Sequence, residues 1–434
     1  MGLLCPIKKM ENSLIIRNGR IVNPIDSTDI VSDLLVLNGR VEKLENNILN
    51  DKNLPEIDAS GYVVSPGLID IHVHFRDPGF THKEDIITGA ESAAAGGYTT
   101  VLLMANTNPK IDSVETLKYV QNKAESACIN VLQEAALTYD FKDELVDMEN
   151  LYQEGAAGFT NDGVPVMNTG VLKEALLRAK KLGAVVALHE EDNKLIGCHG
   201  INDGEISKKL NLSGAPRVSE DVMVARDCML ALETGATIDI QHISSKNSVD
   251  MVKYVKSLGA NIIAEVTPHH FTLTEDAVLN HSTLAKMNPP LRTSEDRERI
   301  IQGLVENTIE IIATDHAPHA DYEKSVEFKK APSGIIGLET ALPLTITELV
   351  KKNKLTLSHA LEKLTVNPSK YYKLDRGDIS AGNVADICIF DPEEKFTVGN
   401  KFKSKSSNSP FIGCSLYGKV KYTICSGKIV YQDK

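Results

Sequence analysis

The chain has 434 residues, a net charge of −12 and 42% hydrophobic residues, so it can form one large domain with a smaller one attached. The acidic balance argues against a nucleic-acid or anionic-membrane partner, and the absence of any run of about 18 apolar residues excludes a membrane-spanning helix. Seven scattered cysteines without a CxxC pair, and a start (MGLLCPIKKM) that is too short for a signal peptide, predict a cytoplasmic protein with reduced thiols.

Both ends of the chain have the pattern of β-hairpins. Three stretches place β-favouring residues on either side of Asn-Gly or Ser-Gly: 14–24, 34–44 and 422–432. These dipeptides supply the positive φ that a tight hairpin turn needs. The stretch GNVADICIFDP (382–392) predicts one further strand. We therefore expect a small β-sandwich domain built from both termini, with residues 1–64 and 379–434.

Between these ends, residues 65–378 alternate apolar strands with helical segments. The predicted strands are Leu68–Phe75, Thr99–Met104, Asn130–Ala135, Ala157–Thr160, Val185–His189, Ile238–Ile243, Asn261–Val266 and Glu310–Thr314. Helices are predicted between them, for example at 84–95, 113–127, 169–182, 219–234 and 246–258. Continuous apolar strands covered by helices indicate a buried parallel sheet, and eight such units favour an α/β fold of the (β/α)8 TIM-barrel type. An open doubly wound sheet is the alternative, although no dinucleotide fingerprint or phosphate loop is present.

Polar residues capable of binding a metal stand at the carboxyl ends of these strands. They are His72 and His74 in GLIDIHVHFRDPG, Asp162 in FTNDG, His189 in ALHEED, His242 in IQHISS and Asp315 in TDHAPH. In a barrel these strand ends share one rim, where such folds place their active sites. Because residues i and i+2 of a strand point the same way, His72, His74 and Arg76 can all face the barrel mouth.

Four imidazoles and two carboxylates suit divalent metal ions such as zinc, and they exceed what one tetrahedral ion needs. The surplus predicts two metals roughly 3.5–4 Å apart with one bridging carboxylate. A single histidine at a strand end is usually only a hydrogen-bonded side chain, but six residues of this kind at one rim indicate a shared site. His269 and His270, after the seventh strand, are expected to support the site without binding metal. Glu190 and Glu191 are interpreted as solvated loop charges.

At these residues the chain resembles the amidohydrolase superfamily, and within it the class I bacterial type of the dihydroorotase family. The resemblance is carried, in family order, by DIHVHFRDPG (70–79), MANTNP (104–109), FTNDG (159–163), EVTPHHFTLT (265–274), KMNPPLR (286–292), TDHAPH (314–319) and APSGIIGLET (331–340). The HxH pair alone is typical of the whole superfamily, whereas HFRDPG together with KMNPPLR and DHAPH is specific. Two positions depart from the family pattern: Ala105 stands where proline is common, and Ser333 where a bulkier residue is common.

The resemblance implies a role for each matched residue. Two Zn²⁺ ions per subunit are implied, one held by His72, His74 and Asp315 and the other by His189 and His242. Asp162 would bridge them, in the place where many relatives carry a carbamylated lysine, so no modified lysine is expected. The implied substrate-binding residues are Arg76, Asn106, Asn288 and His319, with backbone contacts from Pro332, Ser333 and Gly334.

The implied reaction is the cyclisation of N-carbamoyl-L-aspartate to L-dihydroorotate with loss of water, a reversible step of pyrimidine biosynthesis. It would use metal-activated hydroxide, with Asp315 as general acid and base. Arg76 would bind the free carboxylate of the substrate bidentately, which explains how an acidic protein can bind an acidic substrate.

Two alternatives stay open. One is another cyclic amidohydrolase, of the dihydropyrimidinase or allantoinase type, against which Asp162 and Arg76 argue. The other is a non-catalytic scaffold for aspartate transcarbamoylase, against which the complete set of candidate ligands argues. A homodimer, or an association with that transcarbamoylase, is expected only by analogy.

Overall fold

The structure is a computed structural model that describes residues 12–433. The expectations for Cys5 and for the signal-peptide question concern residues outside this range. The cysteines within it are free thiols, as the dispersed pattern predicts: Cys128, Cys198, Cys228, Cys388, Cys414 and Cys425. No helix in residues 12–433 combines the length and the apolar character needed to cross a bilayer.

Strands from both ends of the chain form one β-domain. The N-terminal strands are β1 (Leu14–Asn23), β2 (Thr28–Leu37), β3 (Arg40–Glu45), β4 (Glu56–Asp58) and β5 (Val63–Pro66). The barrel strands, which follow in the chain, are β6 (Leu68–Val73), β7 (Tyr98–Leu103), β8 (Asn130–Gln133), β9 (Phe159–Thr160), β10 (Val185–Leu188), β11 (Thr237–Ile240), β12 (Ile262–Val266) and β13 (Ile311–Ile312). The C-terminal strands are β14 (Ile387–Thr397), β15 (Ser415–Cys425) and β16 (Lys428–Gln432).

The β-domain is an eight-stranded sheet in the order β16-β15-β14-β5-β1-β2-β3, with β4 beside β1. Antiparallel pairing of β5 with β14 joins the two ends of the chain. A buried apolar cluster that includes Ile16, Leu34, Val64 and Ile389 holds the sheet together. The prediction of a β-domain made by both termini is confirmed. Its boundaries at 64 and 379 stay a prediction, and β5 extends across the first of them.

Two of the three predicted hairpin turns are present. Asn38-Gly39 joins β2 to β3, and Ser426-Gly427 joins β15 to β16, with positive φ at all four residues. This is the conformation that two-residue turns between antiparallel strands require.

The prediction of a hairpin at Asn18-Gly19 was wrong. Asn18 has φ 56, but the chain continues through it as the single strand β1, with a register shift between Ile16 and Gly19. A β-bulge therefore uses the same positive φ that a turn would use. A Cβ on Gly19 would lie 2.5 Å from Val64 Cγ2, so the bulge also needs glycine for close packing.

The central region is the predicted barrel of eight parallel strands, each confirmed within a few residues of its predicted position. Strands β6-β7-β8 and β9-β10-β11-β12-β13 form two parallel arrays. Parallel bridges from Ala135 to Phe159 and from Val73 to His316 close the two seams between them. Across the second seam, the His74 amide donates to the His316 carbonyl over 2.9 Å.

Helices cover the barrel strands and start at defined caps. They are α1 (Ile86–Ala95), α2 (Val114–Ala124), α3 (Met148–Gln153), α4 (Thr169–Leu182), α5 (Glu205–Lys209), α6 (Val218–Thr234), α7 (Lys246–Ser257), α8 (Pro268–Thr272), α9 (Ala277–His281), α10 (Ser294–Val305), α11 (Asp321–Lys324), α12 (Leu338–Thr345), α13 (Leu357–Leu364) and α14 (Val366–Tyr372). The side chains of Asp85, Ser113 and Asn168 cap α1, α2 and α4 by accepting from free backbone N–H groups. Most residues of the barrel strands are buried, as expected of a sheet covered on both faces.

Candidate metal centre and substrate pocket

The metal-binding residue types predicted at the strand ends lie together on one rim of the barrel. His72 lies among the last residues of β6 and His74 directly after that strand. The others lie within three residues of their strand ends: Asp162 after β9, His189 after β10, His242 after β11 and Asp315 after β13. All six side chains are buried. The rim is at the carboxyl ends of the strands, where barrels of this type place their active sites.

The backbone bends sharply at three of the predicted site residues. Arg76, His242 and Asp315 have φ values of 59, 34 and 48, in the left-handed region that residues with a Cβ rarely adopt. Each lies just after a barrel strand, so the bend turns its side chain towards the rim. Such conformations persist where surrounding structure enforces them, and they are common at functional sites.

Hydrogen bonds orient His72 and His74 towards the same point. His72 Nδ1 donates to Glu265 Oε1 at 2.5 Å, and His74 Nδ1 donates to Asn106 Oδ1 at 2.9 Å. With both Nδ1 atoms engaged, the Nε2 atoms point inward. His74 Nε2 lies 3.0 Å from Asp315 Oδ1, and the His72 Nε2 atom lies 3.6 Å from the same oxygen.

A second group surrounds Asp162. Its Oδ1 atom lies 3.4 Å from His72 Nε2, 3.5 Å from His189 Nδ1 and 3.6 Å from His242 Nε2. Its Oδ2 atom lies 3.4 Å from His74 Nε2. Oδ1 of Asp162 therefore faces three imidazoles and Oδ2 faces one, so both oxygens lie among the histidines of the cluster.

Two of these atoms lack a hydrogen-bond partner that a bound cation would replace. His72 Nε2 and Asp162 Oδ1 are buried without a hydrogen-bond partner among residues 12–433. His189 Nδ1 and His242 Nε2 lie 2.8 Å apart. Two triads have ligand atoms within 4.8 Å of one another: His72, His74 and Asp315, and His72, Asp162 and His242. Nitrogen and carboxylate donors in this arrangement fit a divalent transition metal such as zinc.

Electrostatics in the site keep the carboxylates charged. Burial raises the pKa of Asp162, but the positive charge of His72 and hydrogen bonds from His189 and His242 hold that pKa well below its usual range. Conversely, burial lowers the pKa of His72, while the carboxylates of Glu265 and Asp162 raise it well above the ordinary value. The site therefore favours bound positive charge.

Glu265 and Glu191 orient ligand candidates, and the sequence analysis missed both. Besides His72, Glu265 Oε1 accepts from the His242 backbone N–H at 3.1 Å. Glu191 Oε2 lies 3.2 Å from His189 Nε2, so His189 presents Nδ1 to the site. The interpretation of Glu190 and Glu191 as solvated charges was wrong, since both are buried against the barrel. A glutamate inside the apolar strand IIAEV was the available signal for Glu265.

A cavity of about 110 Å³ opens beside the ligand candidates. Ten of the predicted site residues line it: His74, Arg76, Asn106, Asp162, His189, His242, Asn288, Asp315, Ser333 and Gly334. The Oδ1 atom of Asn288 is buried there without a partner among the described residues, so it can accept from a bound molecule. Arg76 Nε donates to the Pro318 carbonyl at 3.2 Å, which leaves part of its guanidinium fork for a ligand.

The other predicted substrate-binding residues have protein partners. The Asn106 amide donates to Asp162 Oδ2 at 3.2 Å, so Asn106 orients two ligand candidates as well as lining the cavity. His319 Nε2 donates to the Ser333 carbonyl at 2.9 Å and lies behind the cavity wall. Burial and the charges of Arg76 and two lysines lower the pKa of His319 to about 2, which keeps this imidazole neutral. The Pro332 carbonyl accepts from Lys324 Nζ at 2.9 Å.

His269 and His270 are buried next to the metal-binding residue types. His270 bonds the Thr267 hydroxyl at 2.7 Å and donates from Nε2 to the Pro289 carbonyl at 3.0 Å. Burial, opposed only in part by the Asp315 charge, lowers the pKa of His269 to about 4, so its imidazole is neutral. Neither histidine belongs to the two triads, and a supporting role stays the prediction for both.

Comparison with known proteins places this geometry in context. A family model described as Dihydro-orotase-like matches residues 61–248. The dihydroorotase of Clostridioides difficile (strain 630) is 57% identical, covering 96% of this chain and 99% of its own. That of Clostridium acetobutylicum is 53% identical, covering 97% and 100%. Among solved structures, an L-hydantoinase (dihydropyrimidinase) from Arthrobacter aurescens matches with a TM-score of 0.86 and 24% identity over 96% of each chain. At that identity the structural match shows the barrel and β-domain fold alone.

Proposed function

Since the chain belongs to the dihydroorotase family of the amidohydrolase superfamily, we propose that it interconverts N-carbamoyl-L-aspartate and L-dihydroorotate with loss or gain of water. One observation carries this proposal. One cavity is lined both by residues of the His and Asp cluster and by Arg76 and Asn288. The cluster suits hydrolysis of a cyclic amide, and the guanidinium suits the carboxylate that dihydroorotate bears.

Six residues would hold two zinc ions. His72, His74 and Asp315 would bind one, and His189 and His242 the other, with Asp162 between them and no carbamylated lysine. The unpartnered Nε2 of His72 and Oδ1 of Asp162 support this assignment. When bound, such ions lower the pKa of water towards about 7 and polarise the reacting carbonyl.

Asp315 would move the proton in both directions. In hydrolysis, a carboxylate oxygen of Asp315 would take the proton of the attacking water and return it to the ring nitrogen as the C–N bond breaks. In cyclisation the same oxygen would remove a proton from the ureido nitrogen and give it to the oxygen that leaves as water. The His74 contact at 3.0 Å holds Asp315 Oδ1 at the cluster, while the side chain lines the cavity.

Arg76 and the amides would select the substrate. Guanidinium and carboxylate match bidentately, so Arg76 would bind the carboxylate that does not react. Asn288 would accept a hydrogen bond from the ring, and Asn106 and His319 would bind on the opposite side. Backbone groups of Pro332, Ser333 and Gly334 would complete the wall.

Competing substrates test the proposal. Purified chain is assayed with dihydroorotate, hydantoin and allantoin, and its metal content is measured in the same preparation. We expect turnover of dihydroorotate alone and about two zinc ions per subunit. Turnover of hydantoin or allantoin in preference to dihydroorotate would contradict the proposed substrate. Absence of turnover after incubation with excess zinc would favour the non-catalytic scaffold instead.

The cellular setting is proposed on the same family basis. We propose a cytoplasmic protein that acts on a small molecule in pyrimidine biosynthesis, as a homodimer or in association with aspartate transcarbamoylase. Size-exclusion chromatography with light scattering, with and without that enzyme, measures both associations.

A further inference from the structure

A segment of the C-terminal region packs against the substrate side of the site. Asn408 lies between β14 and β15, outside the barrel, and is 1% exposed. Its Nδ2 atom donates to the carbonyls of Ala317 and Gly334, each at 3.1 Å. Its Oδ1 atom accepts from the His319 backbone N–H at 3.1 Å. One carboxamide therefore joins two loops, 317–319 after β13 and 332–334 further along the chain.

The contact between these loops is close and contains a second donor. Lys324 Nζ, buried in the same region, donates to the Gly334 carbonyl at 3.0 Å, so that oxygen accepts from both Lys324 and Asn408. Gly334 has φ 125, and a Cβ there would lie 2.6 Å from Ala317 Cβ. The two loops are thus in van der Waals contact, and their spacing depends on the groups that bond them.

Both loops form walls of the cavity. Ala317, Ser333 and Gly334 line it directly. The Pro318 carbonyl accepts from Arg76 Nε, so a shift of loop 317–319 would also shift the guanidinium. The side-chain hydrogen bonds of Asn408 are to these loops and not to the six candidate metal ligands.

We propose that Asn408 is a positioning residue for substrate binding, through which the β-domain region sets the distance between Arg76 and the Ser333–Gly334 backbone. This inference rests on the proposed function. It assigns substrate affinity, rather than metal binding or proton transfer, to a residue outside the barrel. A merely structural role for Asn408 would lower the stability of the protein without changing the KM of the folded fraction.

The test uses an isosteric change, Asn408→Asp. The aspartate keeps an acceptor for the His319 N–H, but places an oxygen against the carbonyls of Ala317 and Gly334. Loss of two buried hydrogen bonds predicts a KM for dihydroorotate about tenfold higher, with a much smaller change in kcat and an unchanged metal content. Ser407→Ala is the matched control, because this neighbouring side chain bonds Asp321 at an exposed position; native KM is expected there.

A second variant and a second readout protect the test against misfolding. Lys324→Met removes the other donor to Gly334 and is expected to raise KM in the same direction. Hydrogen–deuterium exchange of the 317–336 region should be faster in Asn408→Asp than in the native chain. Folded variants with native KM and native exchange would overturn the inference while leaving the proposed function intact. A native chain that does not turn over dihydroorotate would overturn both.

Discussion

Replacing Glu265 with glutamine should weaken metal binding without removing a single metal ligand. Glu265 Oε1 accepts from both His72 Nδ1 and the His242 backbone N–H. A glutamine can keep its own Oε1 in that place, so the two hydrogen bonds survive in neutral form and only the negative charge is lost. Carboxylate partners of metal-binding histidines contribute about 10- to 100-fold to metal affinity.

The expected loss of zinc affinity for Glu265→Gln is therefore at the lower end of this range, about tenfold or about 1.4 kcal/mol. Glu265→Leu removes both hydrogen bonds and leaves the His242 N–H unpaired, so about 100-fold is expected. Zinc affinity should fall less in Glu265→Gln than in Glu265→Leu, because one oxygen accepts from both donors and only the glutamine keeps it.

The assay titrates chelator-stripped protein with zinc in competition with a chromophoric chelator at fixed pH. Asp239→Asn is the matched control: it removes a buried barrel carboxylate that bonds the Tyr372 hydroxyl at 2.9 Å. Native zinc affinity in Glu265→Gln, or an equal loss in Asp239→Asn, would refute the reasoning that Glu265 acts through His72 and His242.

Four further outcomes follow from the geometry. Arg76→Lys should retain its metal but raise KM about tenfold, because a point charge cannot replace the bidentate fork; unchanged KM counts against substrate binding by Arg76. Asp315→Asn should fold, with turnover lower by orders of magnitude, and a near-native kcat removes Asp315 as the proton carrier. His72→Ala and His242→Ala should each lose both metal and turnover in metal analysis and rate assays, and full retention of either dismisses that ligand. Stripping the metal should lower Tm, with recovery on adding zinc, and a Tm indifferent to zinc argues against binding at this site.

The barrel and its cluster of candidate metal ligands could be predicted because the sequence has a strong periodicity of apolar strands and helices. Apolar runs of strand length alternate with helices, and the carboxyl ends of parallel strands share one rim, so His72 and Asp315 could be brought together from sequence positions alone. The Asn-Gly rule succeeded at Asn38 and failed at Asn18, because positive φ serves a bulge as well as a turn. Only strand pairing distinguishes the two.

Residues that orient other residues, such as Glu191 and Asn408, have weaker sequence signals than the candidate metal ligands. Glu191 follows His189 in a charged stretch that is typical of a solvated loop, and its burial results from tertiary packing that the local pattern does not show. Asn408 lies in SKSSNSP, a polar run with no strand or helix pattern. Its three side-chain hydrogen bonds join segments that are distant in sequence, and local pattern contains no information about such contacts.

The candidate metal centre lies at the seam where β13 pairs with β6 and the barrel closes. Val73 and His316 make the bridge that joins the first barrel strand to the last, and each is the immediate neighbour of a proposed ligand. A cation held by His74 and Asp315 would thus cross-link the two ends of the barrel sequence, so its binding energy would contribute to ring closure. Metal binding would then stabilise the closed barrel, and a chain made in zinc-poor medium would open this seam more often and expose a strand edge to aggregation.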